Sequence, residues 1–326
     1  MTRFAIVGGG AWGTALGCLY ARAGHHTVLY AREAETVAGI NRDRLNPRYL
    51  PDIDLPASLS ATSDPAEALA GADIVLVVVP AQSLSAATAE LGGLIPPDAL
   101  AVLCAKGIER GTGRFASQIF SQALPAQPLA VLSGPSFAAD VARGLPTAVT
   151  IAAGEPALAD RAARLLSTET YRCYAASDVV GVEAGGALKN VLALAAGAVV
   201  GRGLGASAQA AIITRGFVEL RRLGAALGGQ PETLMGLSGL GDLVLTCSSP
   251  QSRNFAYGMA LGRGDDRSGL KLAEGVFTAE IAARLARDLG IDAPIIATVA
   301  AILSGDLDVD AAVQSLLARP LKREFD

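Results

Sequence analysis

The feature that most constrains this chain is Gly8-Gly9-Gly10-Ala11-Trp12-Gly13, which follows the apolar run at residues 3–7 and opens a stretch of helical spacing at residues 14–23. A G-x-G-x-x-G pattern between strand and helix has a physical reading. Gly8 permits a tight turn, Gly10 lets the backbone approach a pyrophosphate, and Gly13 lets helix and strand pack closely. The phosphates then sit on a helix N-terminus, whose unpaired N–H groups favour anions. With 37 glycines in 326 residues, three in a row could arise without function. Their position at the first βα turn is what points to a dinucleotide.

The first half continues in the same manner. Residues 3–7, 27–30, 74–79, 100–104, 129–132 and 148–152 read as strands, most of them apolar on both faces, as buried parallel strands are. Helical patterns at 65–70, 82–91 and 157–166 alternate with them, the first opened by Asp64-Pro65. After Asp178 the strand signal ends, and the remainder has helical spacing, as at 212–227 and 279–289. The expected fold is α/β: an N-terminal Rossmann-type doubly wound sheet followed by an all-helical C-terminal domain, divided as 1–180 and 181–326.

Composition narrows the functions. Hydrophobic residues make up 51%, yet the longest apolar runs, 74–80 and 191–200, fall short of the roughly 20 residues a membrane span needs. The stretch ending in Ala21-Arg22-Ala23 has the look of a secretory leader, but its removal would discard the glycine pattern, so it reads as folded structure. A net charge of −4 without a Lys/Arg-rich run disfavours nucleic acid and anionic membranes as partners. Cys18, Cys104, Cys173 and Cys247 are scattered without metal spacing and read as buried thiols of a reducing compartment, the cytoplasm. No metal is expected.

A dinucleotide implies hydride transfer, and the protein must then supply a proton donor. The two histidines, His25 and His26, precede the second strand, at the wrong edge of a parallel sheet. No tyrosine has a lysine four residues later. Lysine remains, and it is scarce: Lys106, Lys189, Lys271 and Lys322. Lys106 follows an apolar strand directly, at its carboxyl end, and Lys189 stands with Asn190 in a helix of small and apolar residues. A desolvated lysine has a lowered pKa, which suits a general acid near neutral pH. The plainer alternative is a snorkelling lysine or one paired with Glu183.

Three further readings bear on ligands. Arg32 lies where a cation accommodates a 2′-phosphate, favouring NADP or use of both cofactors, although Glu33 beside it leaves a solvated loop arginine as the alternative. Asp242 and Thr246 are four apart and share a face if helical. Ser252-Arg253-Asn254, read as a loop, suits a phosphate, with ordinary loop polarity the rival account.

These residues and several further motifs are those of a known family. Gly8 to Ala15, Asn46-Pro47-Arg48-Tyr49-Leu50-Pro51, Lys106-Gly107-Ile108-Glu109, Ser133-Gly134-Pro135-Ser136-Phe137-Ala138, Glu183 to Asn190, Gly239 to Thr246, Ser252-Arg253-Asn254 and Glu274-Gly275-Val276 occur in order along almost the whole chain. In them the chain resembles bacterial NAD(P)-dependent glycerol-3-phosphate dehydrogenase.

The resemblance implies that Lys189 is the catalytic proton donor when dihydroxyacetone phosphate is reduced and the acceptor when glycerol 3-phosphate is oxidised. It implies that Lys106 contacts substrate and cofactor, that Asp242 holds the substrate and orients Lys189, and that Ser252, Arg253 and Asn254 grip the phosphate. Gly134 and Ser136 match substrate-binding positions, with Asn190 and Thr246 in the same substrate-facing set. Ala11, Trp12, Arg32, Tyr49, Ala138, Arg253 and Glu274 would contact the cofactor beside Gly8, Gly10 and Gly13. Ala11 replaces the serine often found there. A homodimer and a role in phospholipid synthesis are also expected from the resemblance alone. Two other classes stay open: a β-hydroxyacid dehydrogenase-like reductase, and a nucleotide sensor without chemistry.

Overall fold

The computed structural model describes residues 1–320. Among them are eight strands in one sheet: β1 (Arg3–Val7), β2 (His26–Tyr30), β3 (Leu59–Thr62), β4 (Ile74–Val77), β5 (Leu100–Leu103), β6 (Leu129–Ser133), β7 (Thr147–Ala152) and β8 (Tyr171–Ala176). Their order is β3-β2-β1-β4-β5-β6-β7-β8, so the direction of progression reverses between β1 and β4. Helices α1 (Ala11–Arg22), α2 (Leu84–Leu91), α3 (Ala116–Ala123) and α4 (Pro156–Leu166) cross between strands. Two separate apolar clusters, one containing Phe4, Ile6 and Leu29 and the other Ala5, Val7 and Val28, cover opposite faces of the sheet. Alternate residues of β1 and β2 therefore face opposite layers, which is why these strands are apolar throughout.

Two strands and one direction differ from expectation. β3 and β8 lie at the sheet's edges and carry exposed positions between buried ones, so they lack the two-faced apolar signal. β7 runs antiparallel to β6 rather than continuing the parallel sheet. Residues 134–146 turn through Gly134, at φ +143°, and the short helix Ala138–Ala142 to re-enter the sheet from the edge they left. The whole connection therefore stays over the carboxyl ends of the parallel strands.

Beyond β8 the described chain is helical: α5 (Val179–Gly201), α6 (Ala206–Ala226), α7 (Asp242–Thr246), α8 (Arg253–Arg263), α9 (Glu274–Asp288), α10 (Pro294–Ser304) and α11 (Val309–Leu317). The C-terminal end of the expected 181–326 unit, residues 321–326, lies outside the described residues. The 23-residue α5 is long and apolar enough to cross a membrane, a feature that short apolar runs did not reveal because Glu183 and Lys189 interrupt them. It is instead the bundle's central helix, with every residue from Gly181 to Ala198 buried. Its third core cluster, including Leu188, Leu192, Leu220, Phe255, Ile281 and Ile296, is drawn from α5, α6, α8, α9 and α10.

The crossing of α5 and α8 is made by backbone. A Cβ on Gly258 would overlap the Leu194 carbonyl oxygen, one on Gly262 that of Ala198, and one on Gly197 that of Phe255. Helix propensity alone favours Gly258→Ala by about 1 kcal/mol, but overpacking a rigid contact costs ~1–3 kcal/mol. Since the clashing atom is backbone, we expect Gly258→Ala to lower stability in urea-unfolding measurements; a more stable variant would show that the helices separate freely.

Candidate functional site

The carboxyl ends of the parallel strands collect residues far apart in sequence. Gly8 follows β1, Arg32 lies two residues past β2, Lys106 three past β5, and Gly134 directly after β6. The three glycines of the first turn behave as their spacing suggests. Gly8 has φ +128°, and a Cβ there would stand 2.5 Å from the Val78 oxygen. A Cβ on Gly13 would overlap the Gly8 carbonyl, whereas nothing lies within 4 Å of one on Gly10. Gly10 is also the N-cap of α1, with no side chain to satisfy the first-turn N–H groups. An open approach to uncapped amides fits a dinucleotide pyrophosphate.

Around this turn, Asn46 is buried and donates from Nδ2 to the Gly9 carbonyl at 3.0 Å and to Thr14 Oγ1 at 2.8 Å. It ties the loop bearing Tyr49, whose ring lies beneath the Arg48 guanidinium, to the glycine turn. Asn46 was visible in its motif but had no reading of its own. Trp12 Nε1 is buried without a hydrogen-bond partner, and Arg32 is exposed. His25 packs on Phe4 and Tyr20, at the opposite end of β2 from Arg32.

The second cluster is centred on one carboxylate. Asp242, at the start of α7, accepts from Lys189 Nζ at 2.9 Å on one oxygen and from Lys106 Nζ at 2.8 Å on the other. Lys189 Nζ also donates to Thr246 Oγ1 at 2.6 Å, and the Thr246 hydroxyl donates to Asp242 at 3.2 Å. Lys106 Nζ makes a further bond to the Gly134 carbonyl at 2.9 Å, as does Ser136 Oγ at 3.0 Å. Two lysines from different units thus share one acid, leaving a net local charge of +1.

Burial sets the electrostatics. It pulls the Lys189 pKa down to about 8; Asp242 opposes this and Lys106 adds to it. Burial pushes Asp242 upward, but the two ammoniums outweigh it and hold the carboxyl below its usual range. Glu183 is not the partner of Lys189, since its carboxylate is engaged by Ser117. Lys189 stands in the middle of α5. Glycines on the same helix let its neighbours approach closely: a Cβ on Gly185 would lie 2.8 Å from the Ser238 oxygen, and one on Gly186 2.6 Å from Ser133 Oγ. Lys271 is exposed, and Lys322 lies outside the described residues.

Ser252-Arg253-Asn254 is a helix start rather than a loop. Ser252 caps α8, its Oγ accepting from Phe255 N at 3.3 Å, and Arg253 is exposed in the first turn. Asn254 is buried in a relay: it accepts from Gly275 N at 2.8 Å and donates to Asn190 Oδ1 at 2.9 Å, and Asn190 donates to the Lys106 carbonyl at 2.9 Å. The relay engages both amide ends of Asn254 and braces α5, α8, α9 and the Lys106 segment on one another. Glu274 opens α9; one oxygen accepts from Ala81 N at 3.1 Å, the other is buried without a partner, and burial raises its pKa against the pull of Ala81 N–H and Arg253. Ala11, at the start of α1, and Ala138, opening the short helix after β6, offer no polar side chain.

Known proteins resemble this chain along its length. The model of the NAD-dependent glycerol-3-phosphate dehydrogenase N-terminus matches residues 3–159, and that of the C-terminus residues 178–314. A glycerol-3-phosphate dehydrogenase (NAD(P)+) of Brucella canis is 60% identical over 323 residues, 99% of each chain. One from Mesorhizobium japonicum is 62% identical over 322 residues, 99% of this chain and 94% of its own. The crystal structure of glycerol-3-phosphate dehydrogenase from Coxiella burnetii superposes with a TM-score of 0.92 at 38% identity, covering 98% of this chain and 99% of that one. With sheet and bundle matched in order and relatives alike from end to end, the chain belongs to the NAD-dependent glycerol-3-phosphate dehydrogenase family.

Proposed function

We propose that this family member is an NAD(P)-dependent oxidoreductase that reduces dihydroxyacetone phosphate to sn-glycerol 3-phosphate, with Lys189 as general acid and, in reverse, general base. The observation that carries the reading is a buried ammonium with work left to do. An ammonium has three N–H donors, and Asp242 and Thr246 take two of those of Lys189. The third is available to a ketone oxygen as it becomes an alkoxide, and a pKa near 8 makes the proton transferable.

The nicotinamide cofactor supplies the hydride. Gly8, Gly10, Ala11, Trp12 and Gly13 would hold its pyrophosphate end, with Tyr49, Ala138, Glu274 and Lys106 along the cleft, while Arg32 favours NADP. Lys106 and the backbone at Gly134 would hold the substrate beside Lys189, with Ser136 and Thr246 lining the same place. Asp242 keeps both ammoniums in register. Arg253, exposed beside the Ser252 cap, would bind the substrate phosphate and contribute remote binding energy that orients C2. Asn190 and Asn254 act as braces within this arrangement.

The division of labour between 1–180 and 181–326 is part of the same proposal, supported by a sheet ending at Ala176 and a helix starting at Val179. So is cytoplasmic residence, which suits four buried free thiols, and a role in supplying glycerol 3-phosphate to phospholipid synthesis. A homodimer rests on the family likeness, and sedimentation velocity reads it directly.

Initial rates of NADPH and NADH oxidation with dihydroxyacetone phosphate test the reading. Wild type should turn over, and Lys189→Ala should lose on the order of 10²–10⁴ in kcat while folded; cofactor binding without turnover on this ketone would redirect the substrate to short β-hydroxy acids. Arg32→Ala should lower the NADPH rate more than the NADH rate. Arg253→Ala should raise KM for dihydroxyacetone phosphate roughly ten- to hundredfold with kcat less affected, and an unchanged KM would remove Arg253 from the phosphate site. Because reduction needs the charged form of Lys189, its kcat should fall as pH rises through about 8, whereas oxidation, needing the free amine, should rise over the same range.

A further inference from the structure

Helix α3 begins at Phe115, a cap residue with no oxygen to accept from the first-turn N–H groups. The acceptor comes from another part of the chain. Glu183, 5% exposed on α5, accepts from Ser117 N at 2.8 Å with one carboxylate oxygen and from Ser117 Oγ at 2.5 Å with the other. Glu219 does the same within the bundle, accepting from Ile295 N and Ile296 N at the start of α10, at 2.8 and 3.0 Å. Glu183 differs because its bond crosses from the bundle to the sheet unit.

That crossing matters for what lies on either side. The segment between β5 and α3 carries Lys106, and Glu183 and Lys189 stand six positions apart on one buried helix. Asn190 holds this segment at the Lys106 carbonyl, and Glu183 holds it again at Ser117. These two bonds, one at each end of the Lys106-to-Ser117 loop, tie it to α5, while Gln82 and Ser85 hold its middle to the sheet unit. We propose that Glu183 is a positioning residue for the reaction: by capping α3 it sets the register of the Lys106 segment against α5, and so the geometry in which Lys106 and Lys189 share Asp242. It touches none of the three. The carboxyl faces the Ser117 hydroxyl and the Ser117 and Ala116 amides, with no cation paired to it, and burial raises its pKa to about 7.

This inference rests on the reading of Lys189 as acid and base, and the experiment separates the two. NADPH titration counts folded, cofactor-binding sites, and kcat with dihydroxyacetone phosphate is expressed per such site. Wild-type protein without turnover would refute the functional reading. With wild type active, Glu183→Ala should lower kcat per site roughly ten- to hundredfold, as a misplacement near 1 Å does, with NADPH affinity unchanged. Glu183→Gln should restore most of it, because its amide oxygen accepts from Ser117 N and its NH2 donates to Ser117 Oγ. Wild-type kcat in the alanine variant, or a folded glutamine variant as slow as alanine, would overturn the proposal. Should Glu183→Ala not fold, Ser117→Ala removes one of the two bonds and should give a partial loss of kcat; an unchanged kcat there would also overturn it.

Discussion

The arrangement depends on one buried carboxylate between two ammoniums, Lys189 buried and Lys106 partly so. Asp242, 2% exposed, takes a lysine on each oxygen. Desolvating a lone charge costs several kcal/mol, and breaking a buried pair costs about 3–5 kcal/mol because the survivor is left unpaired. Two cations on one anion are not neutralised, however. The surplus positive charge is confined to a place reached from the carboxyl ends of the strands, so an anionic ligand completes a cluster that the protein leaves one charge short. The Asp242 and Lys189 pair lies within the bundle and is neutral; the surplus appears only when Lys106 is brought against it from the sheet.

The polar residues around this centre serve mainly to keep it from relaxing. Asn190, Asn254 and Gly275 form a chain of amide contacts between three helices and the Lys106 carbonyl. Each is a buried group whose loss would strand a partner, so the energetic stake exceeds the net worth of the bonds themselves. Glycines complete the design by omission: at Gly185 and Gly186 a methyl group would press on the Ser238 backbone and on Ser133 Oγ.

How far the residues announced this depends on how local each signal is. The glycine turn, the two-faced apolar strands and a lysine stranded in a small-residue helix are local patterns, readable because each breaks or obeys a short-range rule. β3 and β8 were missed because edge strands keep one face polar, and the reversal of β7 because direction is set by a 13-residue connection (134–146), not by the strand itself. Ser252 to Asn254 read as a loop since serine and asparagine favour turns, yet the same preference makes Ser252 a helix cap. Asn46 gave no usable signal and Glu183 pointed to the wrong partner, Lys189: their actual partners lie 37 and 66 residues away, and only the folded backbone brings a lone polar side chain to a distant amide.

The glycine crossing of α5 and α8 has a mechanical consequence. Interfaces between helices ordinarily slide by letting interlocked side chains change rotamer, and here carbonyl groups meet Cα atoms with no side chain between them to yield. The helix bearing Lys189 and the helix beginning at Ser252 therefore move as one body. A change of shape in this molecule is therefore taken up more readily along the seam where the bundle meets the sheet than between Lys189 and the residues at the head of α8.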